Sequence, residues 1–282
     1  MAEPAAGRPL LLCADDYGLT PGIGQAITGL VQAGRLGAFS CLTNGPAWPQ
    51  DGPSLAGLRA AGAQAGLHFN LTEGRPLSPA LARLWPHLPS LPQVLIAAHL
   101  GRLPLPALGA ELAAQWAAFE SVSGGAPDFV DGHQHVHHLP GVRRLLVDFL
   151  QRQPVPIPVR STARLAGPGF GFKRWVIEHS GGRALARALQ RHWLPHNRLL
   201  LGAYDFKADY RPLMQRWLAQ VPAGGALLFC HPGQASVGGV GVVADAPDAI
   251  AAARLRELAY LGGADFPLDL AAAGVVLETV WR

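Results

Sequence analysis

Asp15 and Asp16 stand side by side after the apolar run Pro9-Leu10-Leu11-Leu12-Cys13-Ala14, and Asp131-Gly132-His133-Gln134-His135-Val136-His137-His138 follows a second apolar run in mid-chain. Two adjacent carboxylates at the end of a buried strand repel each other and resist desolvation unless a cation or a shared proton compensates them. One of the pair can then bind a metal while its neighbour takes a proton. Helix capping is the competing explanation, because Asp is favoured just before a helix and one is expected to begin near Pro21. His68 ends a third apolar stretch and offers a second ligand at the same rim, or else a neutral imidazole that caps a carbonyl. In an extended chain, alternation turns His133, His135 and His137 to one side. Imidazoles with a carboxylate match Zn²⁺ and related divalent ions, leaving positions open for water and substrate. Histidines of the run that do not ligate would orient the ligands or contact substrate. A histidine-rich surface loop with adventitious metal affinity is the plainer alternative.

His231 closes the late strand-like run Leu227-Leu228-Phe229-Cys230 and could protonate a leaving group. Its neighbour Cys230 invites a Cys-His nucleophile, but successive strand residues face opposite ways, which favours a buried thiol. Arg160, after Pro156-Ile157-Pro158-Val159, could hold the carboxylate base or an anionic part of a substrate. Gly169-Phe170-Gly171 and Gly238-Gly239-Val240-Gly241 lack the spacing and context of a dinucleotide or phosphate loop. Trp48, Trp85, Trp175 and Trp193 are either core residues or a platform on which a sugar could stack.

These residues need a scaffold that brings strand ends together. Apolar strand-like runs near 9–14, 38–42, 65–69, 128–131, 156–160, 198–201, 225–230 and 274–278 alternate with helical stretches near 21–34, 53–62, 107–123, 141–151, 172–193, 207–220 and 247–262. That alternation belongs to an α/β protein with a mainly parallel sheet, and eight strand candidates suit a closed or nearly closed β/α barrel. With 282 residues, 49% of them hydrophobic, the chain is expected to fold as a single domain over 1–282. Pro-rich stretches at 75–106 and 153–170 read as pocket-shaping loops. The net charge of +4 comes from scattered arginines, only two lysines occur, and no basic stripe interleaves with aromatics, so nucleic acid is not an expected partner. Three cysteines in apolar surroundings suit buried thiols rather than a disulfide framework. No apolar run is long enough to span a bilayer, and Met1–Arg8 lacks signal-peptide regions, giving a cytoplasmic expectation.

Four motifs together resemble the YdjC-like carbohydrate deacetylases: Ala14-Asp15-Asp16-Tyr17-Gly18; Gly66-Leu67-His68 with Thr72-Glu73-Gly74-Arg75-Pro76; Asp131-Gly132-His133-Gln134-His135-Val136-His137 with Pro140; and Cys230-His231-Pro232-Gly233. The Arg/Trp-rich 161–215 segment departs from the family and, with 75–106, is read as a loop insertion. The resemblance implies a distorted β/α barrel related to polysaccharide deacetylases. It implies one divalent metal ion, zinc or magnesium, on Asp16, His68 and His133, with Asp15 as general base and His231 as proton donor. His135, His137, Arg160 and Glu73 would contact substrate or orient these groups. The implied reaction is hydrolysis of an N-acetyl group from an amino sugar or its conjugate, and the resemblance admits a homodimer. Another metal-dependent amidohydrolase or phosphoesterase, and a non-catalytic sugar-binding protein on the same fold, are the alternatives.

Overall fold

The computed structural model describes residues 7–234 and 248–281, so the Gly238–Gly241 run lies outside the described residues. Among those residues seven strands pair in parallel: β1 (Arg8–Tyr17), β2 (Ala38–Cys41), β3 (Gln64–Phe69), β4 (Val130–Gly132), β5 (Leu200–Leu201), β6 (Ala226–Cys230) and β7 (Val275–Leu277). Their order is β4-β3-β2-β1-β6-β5, with β7 against the start of β1. Leu10 lies between Ala226 of β6 and Leu277 of β7, so β7 takes the flank of β1 that β2 occupies further along. Central strands β1 and β6 bury every residue from Leu10 to Ala14 and from Ala226 to Cys230. Continuous apolar runs are what a parallel sheet covered by helices on its faces demands.

No regular strand forms at 156–160. Pro156 and Pro158 have no N–H to donate, and pairing there contracts to single-residue bridges. Val159 bridges both Val130 and His196, while Leu165 bridges Leu200. Residues 159–165 thus form a strap that reaches from edge strand β4 to edge strand β5 and closes the sheet into the distorted barrel expected. The first helix, Pro21–Gln32, is capped by Thr20, whose hydroxyl accepts from the Ile23 N–H, and carries Pro21 in its first turn. The cap is therefore not Asp15 or Asp16, and both carboxylates are left for other work.

Three segments depart from expectation. The 75–106 stretch contains helices Pro79–Ala82 and Leu91–His99, each opened by a serine and a proline, so it is a helical excursion rather than a loop. Likewise 161–215 contains helices Gly171–Ile177, Arg183–Arg191 and most of Tyr210–Leu218, together with β5. The helix expected over 172–193 breaks into two at a π turn, Glu178–Gly182. There the backbone lies against the interior: a Cβ on Gly181 would fall 2.0 Å from the His138 carbonyl, and one on Gly182 would fall 2.3 Å from that of Thr162. Helix Asp265–Ala272 had no counterpart in the pattern. Trp48 is core, whereas Trp175 and Trp193 are exposed. Among the described residues no helix is long and apolar enough to cross a membrane.

Candidate metal centre and active site

Strand β1 ends in a bulge, its register with β2 shifting between Ala14 and Tyr17, and Asp16 adopts a left-handed backbone with φ 73°. In a regular strand Asp15 and Asp16 would face opposite sides. The bulge instead lets both serve one buried site. A left-handed non-glycine residue costs on the order of 1 kcal/mol or more, and such strain gathers at functional sites.

Asp16 Oδ1 lies 3.0 Å from His133 Nδ1 and 3.5 Å from His68 Nε2. One ligand atom from each of Asp16, His68 and His133 falls within 4.8 Å of the others, and all three residues are buried. The outward nitrogens are held as well. His68 Nδ1 donates to Asp131 Oδ1 at 2.6 Å, with Ser40 Oγ 3.0 Å away, and His133 Nε2 lies 2.9 Å from Glu73 Oε2. Metal-binding histidines characteristically give their second nitrogen to a carboxylate, which fixes the ring and raises its basicity. The donor set of one carboxylate and two so oriented imidazoles therefore fits a divalent ion. Burial lowers the His68 pKa, but the nearby Asp131 and Asp15 carboxylates more than offset it and raise it to about 10.

Asp15 faces a different partner. Arg160 grips both of its oxygens, Nη1 to Oδ2 at 2.7 Å and Nη2 to Oδ1 at 2.6 Å, and Nη2 also lies 2.6 Å from Asp131 Oδ2. Burial would push the Asp15 carboxyl up, yet Arg160 holds it well below the usual range. Arg160 is fully buried and is the counterion of both Asp15 and Asp131. Cys13, Asp15 and Asp131 also cluster closely, but Arg160 Nη2 sits 3.2 Å from Cys13 Sγ and already supplies the cation there.

The histidine run is not extended, so it does not present three rings to one side. His133–His138 forms a tight 3-10 turn in which Gln134 and His135 have positive φ. Gly132 permits it, since a Cβ at that position would lie 2.8 Å from the His137 backbone nitrogen. His133 joins the metal group, whereas His137 Nε2 lies 2.9 Å from the Arg160 carbonyl and braces the strap. His138, not singled out within the run, pairs with Thr162 Oγ1 at 2.8 Å and Ser180 Oγ at 3.1 Å. His135 packs edge-on against Phe229 at 5.4 Å. Glu73 is half-exposed beside His133, on the open side of the cluster.

His231 lies beyond β6 with its ring against Phe206 and Phe229. Burial lowers its pKa to about 4, and its Nδ1 is buried without a hydrogen-bond partner. Cys230 is a buried thiol pushed up by desolvation, in keeping with a packing role. Sequence patterns missed two contributors on helix Ala251–Gly262, Arg254 and Glu257. Arg254 Nη2 donates to Asp16 Oδ2 at 2.7 Å, and Glu257 Oε2 accepts from the His231 backbone N–H at 2.5 Å. Both side chains are buried, and buried polar groups demand partners, but those at the site are distant in sequence.

A profile of the YdjC-like protein family matches residues 9–272. The chain belongs to the YdjC-like family. It is 34% identical over 291 residues to the mouse protein named carbohydrate deacetylase, with 95% of this chain and 92% of that protein aligned. Similarity to the chitooligosaccharide deacetylase of Escherichia fergusonii is 32% over 161 residues, covering 54% of this chain and 59% of that one. Among solved structures, a proposed cellobiose-phosphate cleavage protein from Enterococcus faecalis V583 superimposes with a TM-score of 0.72 at 19% identity, covering 97% of this chain and 98% of that one. That likeness identifies the YdjC-like chain's fold as one already seen.

Proposed function

We propose that this YdjC-like protein is a metal-dependent carbohydrate deacetylase, removing the N-acetyl group from an amino sugar or a conjugate that carries one. The observation that carries this reading is the convergence of Asp16, His68 and His133, each imidazole backed by a carboxylate, beside the ionised Asp15. The names borne by relatives of similar length support the choice of an acetylated sugar as substrate.

A zinc or magnesium ion on those three residues would polarise the amide carbonyl and acidify a water molecule. Asp15, proton-free and clamped by Arg160, accepts a hydrogen bond from the attacking water and fixes its direction. Because Arg160 keeps it ionised, Asp15 takes a proton from that water and passes it on rather than keeping it. His231 enters the cycle neutral, and negative charge developing on the substrate oxygen raises its basicity, so it can take up the proton released from the attacking water and pass it to the departing amine. Glu73 and His135, less enclosed than the ligands, face the substrate.

Acetate release from N-acetylglucosamine oligomers tests the reading. The protein is expected to liberate acetate, to lose that activity in a chelator and to regain it with zinc or magnesium. Sugar binding without acetate, or release of phosphate from sugar phosphates in its place, would overturn it.

A further inference from the structure

We infer that Arg254 and Glu257, three residues apart on helix Ala251–Gly262, are a positioning pair that sets the metal carboxylate and the proton-carrying histidine relative to each other. The inference rests on the proposed roles of Asp16 and His231.

The two oxygens of Asp16 have separate duties. Oδ1 faces His133 and His68, while Oδ2 is taken by Arg254 Nη2 at 2.7 Å. A carboxylate so divided presents one oxygen to a metal and cannot rotate to present both. Arg254 is itself fixed, since its Nε donates to Asp248 Oδ2 at 2.7 Å. One turn on, Glu257 Oε2 receives the His231 N–H, and its Oε1 receives the Tyr204 hydroxyl at 2.5 Å. Residues i and i+3 share a helix face, so one rigid element holds the Asp16 carboxylate and the backbone of His231. Those groups come from the ends of β1 and β6, which are neighbours in the sheet. The strands set their spacing coarsely; the helix sets their orientation.

The test separates the two arms. Arg254→Ala should weaken zinc binding, measured by chelator competition, about 10- to 100-fold, the usual effect of removing a partner of a ligating carboxylate. Arg254→Lys, which keeps the charge and guards against a folding failure, should recover most of that affinity. Glu257→Ala should leave zinc affinity and KM unchanged but lower kcat at least 10-fold, and Glu257→Gln, which still accepts from His231, should restore it. Wild-type zinc affinity in Arg254→Ala, or wild-type kcat in Glu257→Ala, overturns the pairing. If the wild type releases no acetate, the functional reading fails instead. The Glu257 arm is then read from the His231 imidazole signal by NMR, expected to be sharp in the wild type and in Glu257→Gln and broadened in Glu257→Ala. An unchanged signal in Glu257→Ala overturns it.

Discussion

Asp15 keeps its charge in a buried site because Arg160 meets both oxygens, and Arg160 keeps its own by meeting Asp131 as well. Breaking a buried ion pair by removing one partner costs roughly 3–5 kcal/mol, which separates the structural demand for Arg160 from any catalytic one. Asp15→Asn retains shape and much of the hydrogen bonding but cannot accept a proton. We expect it to bind metal as the wild type does and to lose about 10²- to 10⁴-fold in kcat, the range for a positioned acid or base. Full turnover in that variant would remove Asp15 from the reaction. The pairing of adjacent aspartates with strand-end histidines was legible in the sequence because their residue types are costly to bury without purpose. Which aspartate takes which role rested on the family resemblance alone, because the residues themselves do not announce the left-handed turn at Asp16 that separates their partners.

At the scale of elements, helix Ala251–Gly262 and the end of β6 carry opposite titrations. Glu257 is pushed up to about 7 by burial, so the folded state holds its proton more tightly than the unfolded one. Its contribution to stability is full below the unfolded value near 4.5 and is lost as pH rises through about 7. His231, lowered from 6.5 to about 4, behaves in reverse: its contribution is present above 6.5 and is lost as pH falls toward 4. Thermal melts from pH 5 to 8 should therefore show Glu257→Gln gaining on the wild type as pH rises, by on the order of 2–3 kcal/mol. A constant difference across that range would show that Glu257 titrates normally. The amphipathic or apolar elements were readable from periodicity, whereas the π turn at 178–182 was not. That turn answers to the crowding of Gly181 and Gly182 against His138 and Thr162, a tertiary cause with no local pattern. Helices within 75–106 escaped for another reason: their prolines occupy first turns, where proline is tolerated, but read in isolation as breaks.

For the whole molecule, strand β1 is the common member. It pairs with β2, β6 and β7, delivers both aspartates, and places Leu10, Leu12 and Ala14 in one apolar cluster and Leu11 and Cys13 in another. Calorimetry on the metal-free chain is expected to give one cooperative transition, with equal calorimetric and van't Hoff enthalpies. Two resolved transitions would divide the chain into separate domains. The parallel α/β architecture and a closed or nearly closed barrel were visible from strand-like runs alternating with helices, but the segment that makes the closure was not visible as a bridge of single residues. A proline-bearing stretch that pairs through single residues resembles a strand in composition and a loop in hydrogen bonding.

That closing segment has a consequence for how the chain avoids error. Arg160 points inward only when Val159 is in register with Val130, and a slip of one position would turn the guanidinium outward. Asp15 and Asp131 would then face each other in the interior with no counterion. A mis-set latch is thus penalised by electrostatics as well as by lost pairing.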